Sequence, residues 1–426
     1  MSILVQKFGG TSLGTVERIK AVAQKIMSTY DAGHQLVVVV SAMSGETDRL
    51  INLAKSVSTT PCDREYSVLV STGEQVSMAL LAMCLAQQGY PAKSYTGYQA
   101  GIVTDNCYRK ARIQAVNCNL IKQDLEKQKI VIVAGFQGVD NDGSITTLGR
   151  GGSDTSAVAL AAALNAVECQ IYTDVAGVYT ADPRIVTDAR CLSHITFEEM
   201  LELASLGAKV LQKRSVEFAG KHKVVLRVLS SFEESAGTLI TFEEVNMEQP
   251  LVSGITYNRN EAKLTIMGVP DMPGIQAKIL EPIALSNIDI DMIIQNIGVD
   301  GTTDFTFTVN REEYQQASNI LQDICSELGA EKVIGDTRIA KISLVGVGMR
   351  SHTGIASKMF HILGSEGISI QLISTSEIKV SVVVDEKYLE LGVRALHSGF
   401  GLEKAAKEEY DPLPQPKVLA EQQKMS

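Results

Sequence analysis

The chain has no tryptophan and six histidines, and aromatic residues make up 5% of its 426 positions. Ring stacking therefore cannot dominate its cores. The 34 glycines point instead to small-residue packing and to turns set by the backbone. A basic surplus is missing too. Lys and Arg number 39 against 49 Asp and Glu, a net charge of −10, which excludes a general nucleic-acid binder. Any anionic ligand must then be held by a few locally placed cations. The seven cysteines (Cys62, Cys84, Cys107, Cys118, Cys169, Cys191 and Cys325) include no C-x-x-C pair and no zinc-like spacing with histidine. They read as free thiols in a reducing cytosol, with no structural metal. The longest apolar stretches, Leu36–Val40 and Ala157–Leu164, fall far short of the roughly 20 residues of a membrane span. The start of the chain shows no signal-peptide pattern. The expectation is a cytoplasmic protein with neither membrane nor nucleic-acid partners.

What is present is long enough for two or three domains at about 150 residues each. Up to about residue 245, strand-like and helix-like runs alternate. Ile3–Phe8, Gln35–Val40, Ile130–Ala134 and Gln170–Thr173 read as strands, with Leu226–Leu229 and Thr238–Phe242 as late ones. Thr15–Met27, Ser71–Gln88, Ser153–Leu164 and Phe197–Ala219 read as helices, the last with a break expected at Gly207. Such alternation predicts an α/β fold with a mostly parallel sheet and helices on both faces. Gly143 marks a hairpin within it.

The second half repeats itself. Gly274-Ile275 aligns with Gly354-Ile355 at an offset of 80, which holds through Lys278/Lys358, Ile288/Ile368 and Ile290/Ile370. Each copy reads as βαββαβ, a ferredoxin-like module. The first copy closes with a strand at Lys332–Asp336, whereas the second offers only Gly399–Leu402. The unpartnered strand Leu251–Tyr257 is therefore expected to pair into the second module. Beyond Leu402 periodicity is lost, and residues 409–426, with three prolines in Asp411–Pro416, read as a flexible tail.

Five segments carry candidate chemistry. Lys7-Phe8-Gly9-Gly10-Thr11-Ser12 joins a strand to a helix, so its backbone N–H groups can approach an anion with Lys7 as a point charge. Ser41–Thr47 follows a buried strand, at the edge where open α/β sheets bind ligands. Ser71–Glu74 has capping-box spacing. Gly149-Arg150-Gly151-Gly152-Ser153-Asp154 opens the alanine-rich helix, and Arg150 offers a planar fork for a carboxylate. Tyr172–Arg184 follows a strand end and can cradle a nucleotide, with Arg184, and Lys209 further on, as cations. Two glycine loops among scattered cations, without a Ser-His or Cys-His arrangement, fit phosphoryl transfer.

Together these segments and the tandem modules resemble aspartate kinase of the single-function type with two C-terminal ACT domains, in order from about residue 3 to 402. The resemblance implies an amino-acid kinase fold over 1–245, ACT domains at 262–338 and 342–408, and transfer from MgATP to the β-carboxylate of L-aspartate. That would be the first step toward lysine, threonine and methionine. Lys7, Glu74, Arg150 and Asp154 would be catalytic. Lys7, Phe8, Gly9, Gly10, Ser41, Thr173, Asp174, Tyr179, Arg184 and Lys209 would line the nucleotide. Thr47, Glu74, Arg150, Gly151, Ser153 and Asp154 would hold aspartate, and Mg²⁺ would ride on the phosphates without a dedicated protein metal site. Asp271, Gly274, Ile275, Gln276, Gln295 and Asn296 fall where the family places an effector, lysine or threonine or both. A homo-oligomer through the ACT domains is implied, and Met247 offers an internal start for a separate ACT-only subunit. A catalytically silent sensor on the same scaffold would have lost Lys7, Arg150 or Asp154, and all three are present.

Overall fold

The computed structural model describes residues 2–207, 210–242, 252–298, 301–351 and 354–404. Lys209, Met247, Leu251 and the expected tail 409–426 lie outside the described residues.

The first half runs β1 (Ile3–Phe8), α1 (Val16–Asp31), β2 (Gln35–Val40), α2 (Glu46–Val57), α3 (Asp63–Gln87), β3 (Ala92–Tyr95), β4 (Ile102–Thr104), β5 (Ile113–Val116), α4 (Asn119–Glu126) and β6 (Ile130–Ala134). It continues with β7 (Gln137–Val139), β8 (Ile145–Thr147), α5 (Gly152–Leu164), β9 (Glu168–Thr173), β10 (His194–Thr196), α6 (Phe197–Ser205), α7 (Lys213–His222), β11 (Leu226–Ser230) and β12 (Thr238–Thr241). Eight strands form one sheet in the order β10-β12-β11-β9-β1-β2-β6-β3, with only β11 and β12 antiparallel. Its central strands are continuous apolar runs because both faces are covered. Val37, Val39, Val131 and Val133 pack toward α5 on one side, while Leu36, Val38 and Ile132 meet Ile19, Ile26, Leu81 and Leu85 of α1 and α3 on the other. A second sheet, β5-β4-β7-β8, contains the hairpin whose turn holds Gly143 at φ +81°.

The start of one helix differs from the sequence reading. α3 begins at Asp63, not Ser71, so Ser71 and Glu74 lie inside the helix and form no capping box. Asp63 and Glu65 in its first turn are the acidic start signal. A capping box does occur at Thr196 and Glu199, opening α6. The helical stretch Phe197–Ala219 is broken as expected into α6 and α7, with Gly207 at φ +115° beyond the end of α6. By length and composition α3 could also cross a membrane. It nevertheless buries Leu81 and Leu85 against the sheet and Ser67, Ser71 and Glu74 along its length.

The second half runs β13 (Gly254–Pro270), α8 (Ile275–Leu285), β14 (Ile290–Ile297), β15 (Thr302–Asn310), α9 (Tyr314–Cys325), β16 (Lys332–Val345), α10 (Ile355–Ser365), β17 (Leu372–Thr375), β18 (Lys379–Asp385) and α11 (Leu389–Phe400). One sheet, β14-β15-β13-β16-β18-β17, serves both repeats because β13 and β16 are each long enough to enter two modules. Gly254–Asn258 pairs with Lys341–Val345, and Glu261–Met267 pairs with Lys332–Ile339. Gly399–Leu402 is not a strand; it is the end of α11 and the turn after it, where Gly401 takes φ +68°. Buried Lys341 sits where the modules join, 3.0 Å from Glu261 and also paired with Asp291.

Candidate functional site

The carboxyl ends of β1, β2 and β9 lie side by side, and the candidate segments meet there. Lys7 and Asp154 form an ion pair of 2.5 Å, each side chain only 10% exposed, tying the end of β1 to the first turn of α5. Gly9 donates its N–H to the Tyr172 carbonyl at 3.3 Å, joining the first glycine loop to the 172–184 segment, and Phe8 stacks on Tyr172 at 4.6 Å. A Cβ at Gly9 would stand 3.6 Å from the Lys7 Nζ, and one at Gly10 would be 2.9 Å from the Ala42 carbonyl oxygen. Glycine at both positions keeps the backbone near the ammonium uncovered.

A cleft of about 1440 Å³ opens beside this seam. Gly10, Ser41, Thr47, Glu74, Arg150, Gly151 and Ser153 all line it. Ser41 and Ser153 hydroxyls meet at 2.8 Å, fastening the loop after β2 to the start of α5. The first N–H groups of α5 and the helix dipole favour negative charge at this point. Gly149 (φ +77°) and Gly151 (φ +68°) present Arg150 to solvent between them. A Cβ at Gly151 would lie 2.0 Å from the Gln212 Cγ, so the turn admits only glycine. Arg150 has no ion pair among the described residues and is free for an incoming carboxylate.

Glu74 is the counterpart of opposite sign. Being inside α3, it reaches the cleft wall with only 4% of its surface exposed. Its Oε1 accepts the Ala42 N–H at 3.1 Å, while Oε2 has no partner among the described residues. Burial pushes its pKa up to about 7, partly offset by backbone hydrogen bonds including that from Ala42. A buried carboxylate oxygen without a donor suits a cationic ligand group such as an ammonium.

The remaining nucleotide candidates stand outside this cleft, along the segment that continues β9. Thr173 donates its hydroxyl to Asp174 at 3.1 Å, Asp174 is exposed, and Tyr179 is half-buried. Arg184 does not point free: it makes a two-pronged contact with Asp182 at 3.0 and 2.7 Å. Lys209 lies outside the described residues. Sequence reasoning missed a set of cations on the outer wall of the cleft, among them Lys55, Lys110, Arg112 and Lys221. They come from three separate stretches of chain, so no local pattern announced them. Arg214, also there, donates to the Leu148 and Ala111 carbonyls at 2.7 Å each and pins the loop that carries Arg150.

In the first repeat, Gly274 at φ +87° caps α8, and the Gln276 side chain donates to Gln295 of β14 at 3.0 Å. Asp271 and Asn296 are exposed beside them, and Ile275 is buried beneath. Gly354 at φ +96° performs the same turn before α10 in the second repeat.

Residues 2–230 match the amino acid kinase family, and residues 342–400 match an ACT domain. The chain is 64% identical over 409 residues to a protein of Pseudomonas putida named aspartate kinase, a span of 96% of this chain and 100% of that one. To an aspartokinase of Pseudomonas aeruginosa it is 62% identical over 410 residues, again 96% and 100%. Among solved structures, aspartokinase III of E. coli in complex with aspartate and ADP is 26% identical with a TM-score of 0.78, covering 93% of this chain and 99% of that one. The same enzyme in complex with lysine and aspartate gives 26% and 0.74 over the same shares.

Proposed function

Since this chain belongs to the aspartate kinases of the amino acid kinase family, we propose that it carries out the following transfer. The γ-phosphoryl group of ATP passes to the β-carboxylate of L-aspartate, giving 4-phospho-L-aspartate and ADP, the first step toward lysine, threonine and methionine. The observation that carries this reading is the Lys7–Asp154 pair of 2.5 Å standing beside a cleft that presents Glu74 and Arg150 together. Arg150 takes the α-carboxylate and Glu74 the ammonium, with Thr47, Gly151 and Ser153 fixing the rest, so the β-carboxylate is left to attack. Lys7, with the N–H groups of Gly9 and Gly10, neutralises the transferring phosphoryl group, and Asp154 holds the ammonium in place. Thr173, Asp174 and Tyr179 line the nucleotide with Phe8 and Ser41 nearby; Arg184 joins only by leaving Asp182, and Lys209 is assigned by motif alone. Such a site acts by positioning and charge neutralisation.

Mg²⁺ would enter on the phosphates, whose charge it neutralises. Exposed Asp174, which among the described residues bonds only to the Thr173 hydroxyl, offers the oxygen ligand that suits a hard cation. Among the described residues no cluster of three His, Cys, Asp or Glu side chains could hold a metal alone.

We assign the catalytic domain to 1–245 and the ACT domains to 262–338 and 342–408, the latter completed by the start of β13. Lysine, threonine or both would inhibit from the Asp271–Gln276 turn beside Gln295 and Asn296. Among the described residues, β14 and β17 are the edge strands of this sheet, and they expose Ile293, Ile297 and Ile373, which supports joining to another copy through the ACT domains. An ACT-only subunit starting at Met247 would share that edge.

Three outcomes follow. Glu74 must be ionised to hold an ammonium, and its pKa is about 7 in the free protein. Aspartate binding then expels a proton below that pH, and KM for aspartate falls by up to about ten-fold per unit as pH rises toward 7, flattening above it. In Glu74→Gln this dependence disappears and KM stays high. The same shift makes the free protein lose stability as pH rises from 4.5 through about 7, because the folded state holds a proton that the unfolded state has released. The cationic outer wall should speed capture of an anionic amino acid. Raising salt from about 20 to about 300 mM lowers kcat/KM for aspartate several-fold while kcat changes little.

The activity itself is tested by ADP release with MgATP and aspartate, with glutamate, and with neither. Aspartate-dependent release is expected. Release that prefers glutamate would make this another amino-acid kinase, and no amino-acid dependence would leave the silent sensor.

A further inference from the structure

The second ACT module and the kinase half share a core rather than a surface. Past Tyr179, the segment that continues β9 runs over the second module. Ala181 and Val186 are buried there with Ile255, Ile342, Leu344, Met359 and Leu396. Thr180 accepts the Ile255 N–H on its carbonyl at 2.7 Å, and its hydroxyl meets His397 of α11 at 3.0 Å. Tyr257 donates its hydroxyl to Asp182 at 2.9 Å.

A second link is a single carboxylate. Glu199, 3% exposed, takes four hydrogen bonds from three parts of the chain. One oxygen accepts from Ser253 Oγ at 2.5 Å and the Val347 N–H at 3.0 Å. The other accepts from the N–H and hydroxyl of Thr196, at 3.1 and 2.9 Å. Val347 directly follows Gly346, the turn that leads toward α10. Its counterpart in the first repeat, Val269, instead lies in register with Thr303 of β15 within its own module. The two repeats are thus wired differently: the turn of the second is held by the kinase half. Lys379 and Glu202 add an ion pair of 2.5 Å alongside.

We propose that Glu199 is a positioning residue for nucleotide binding. It fixes the start of β13 and the Val347 turn against α6, and through them the 180–190 strap that docks on β13 and α11. It thereby holds the Thr173–Tyr179 segment where the nucleotide lies. This rests on the nucleotide placement given under Proposed function. Because the strap leaves from the nucleotide side and the aspartate cleft is lined from elsewhere, loosening the clamp acts on ATP and not on aspartate.

The test measures KM for ATP, KM for aspartate and kcat for Glu199→Gln, Ser253→Ala and Thr173→Val, each with a thermal melt. Glu199→Gln places an amide against four donors, and KM for ATP should rise about ten-fold, with kcat and KM for aspartate within two-fold. Ser253→Ala removes one donor and leaves three, and should raise KM for ATP about three-fold; it carries the test if Glu199→Gln fails to fold. Thr173→Val should raise KM for ATP directly. If it does, while neither clamp variant that folds moves that constant, Glu199 is only a structural link and the proposal is overturned. If Thr173→Val leaves KM for ATP unchanged, the nucleotide placement itself fails and the proposal with it.

Discussion

Lys7→Met lowers kcat about a thousand-fold while the protein remains folded at assay temperature. The size follows from the setting. A preorganised cation aimed at charge that develops in phosphoryl transfer contributes about 10²–10³ in rate when its surroundings are dry. Lys7 is held at 2.5 Å by Asp154, with both side chains 10% exposed. Methionine keeps most of the stem and removes only the charge. The substitution also leaves a buried carboxylate without its partner, which costs about 3 kcal/mol of stability. Thermal melts on the same samples therefore belong with the kinetics, and rates are read well below the melting temperature. Lys7→Arg keeps the charge but not the compact ammonium geometry and should recover only part of the rate. A Lys7→Met protein within ten-fold of the parent would remove Lys7 from the transfer step.

Arg150→Ala has the second large effect, and it falls on a different constant. Losing a two-pronged charged contact to a carboxylate costs about 2.5 kcal/mol, and 1.4 kcal/mol is ten-fold. KM for aspartate should rise about sixty-fold. KM for ATP should change less than two-fold, because Arg150 lines the cleft and the 172–184 segment does not. Equal changes in both constants would contradict its role as the carboxylate grip. Arg150→Lys should recover little, since an ammonium cannot present the planar fork.

The main parallel strands were legible, though not their order in the sheet, because buried parallel strands are continuous apolar runs, as in Leu36–Val40 and Ile130–Val133. The glycine loops at the end of β1 and before α5 were legible from their glycines, of which those at 10, 149 and 151 are required by close approach or positive φ. Strands of three or four residues, such as β4, β5, β7 and β8, are too short to show a period. The start of α3 was misplaced because Ser71 and Glu74 imitate a capping box, while the true start at Asp63 has no side-chain cap. That error concealed the cause of the raised Glu74 pKa, since a residue in the first turn of a helix would be solvated. The long-range half of the Glu199 clamp could not be read. Thr196 belongs to the local capping box, but Ser253 and Val347 come together only after the long strands β13 and β16 have paired.

The central claim is that the β-carboxylate of aspartate becomes an acyl phosphate in this cleft. Incubation with MgATP, aspartate and hydroxylamine, followed by mass spectrometry of the trapped product, tests it most directly. The account predicts aspartyl β-hydroxamate, formed in step with ADP and lost in Lys7→Met. ADP release without any hydroxamate, or with the α-carboxylate or glutamate trapped instead, would contradict it.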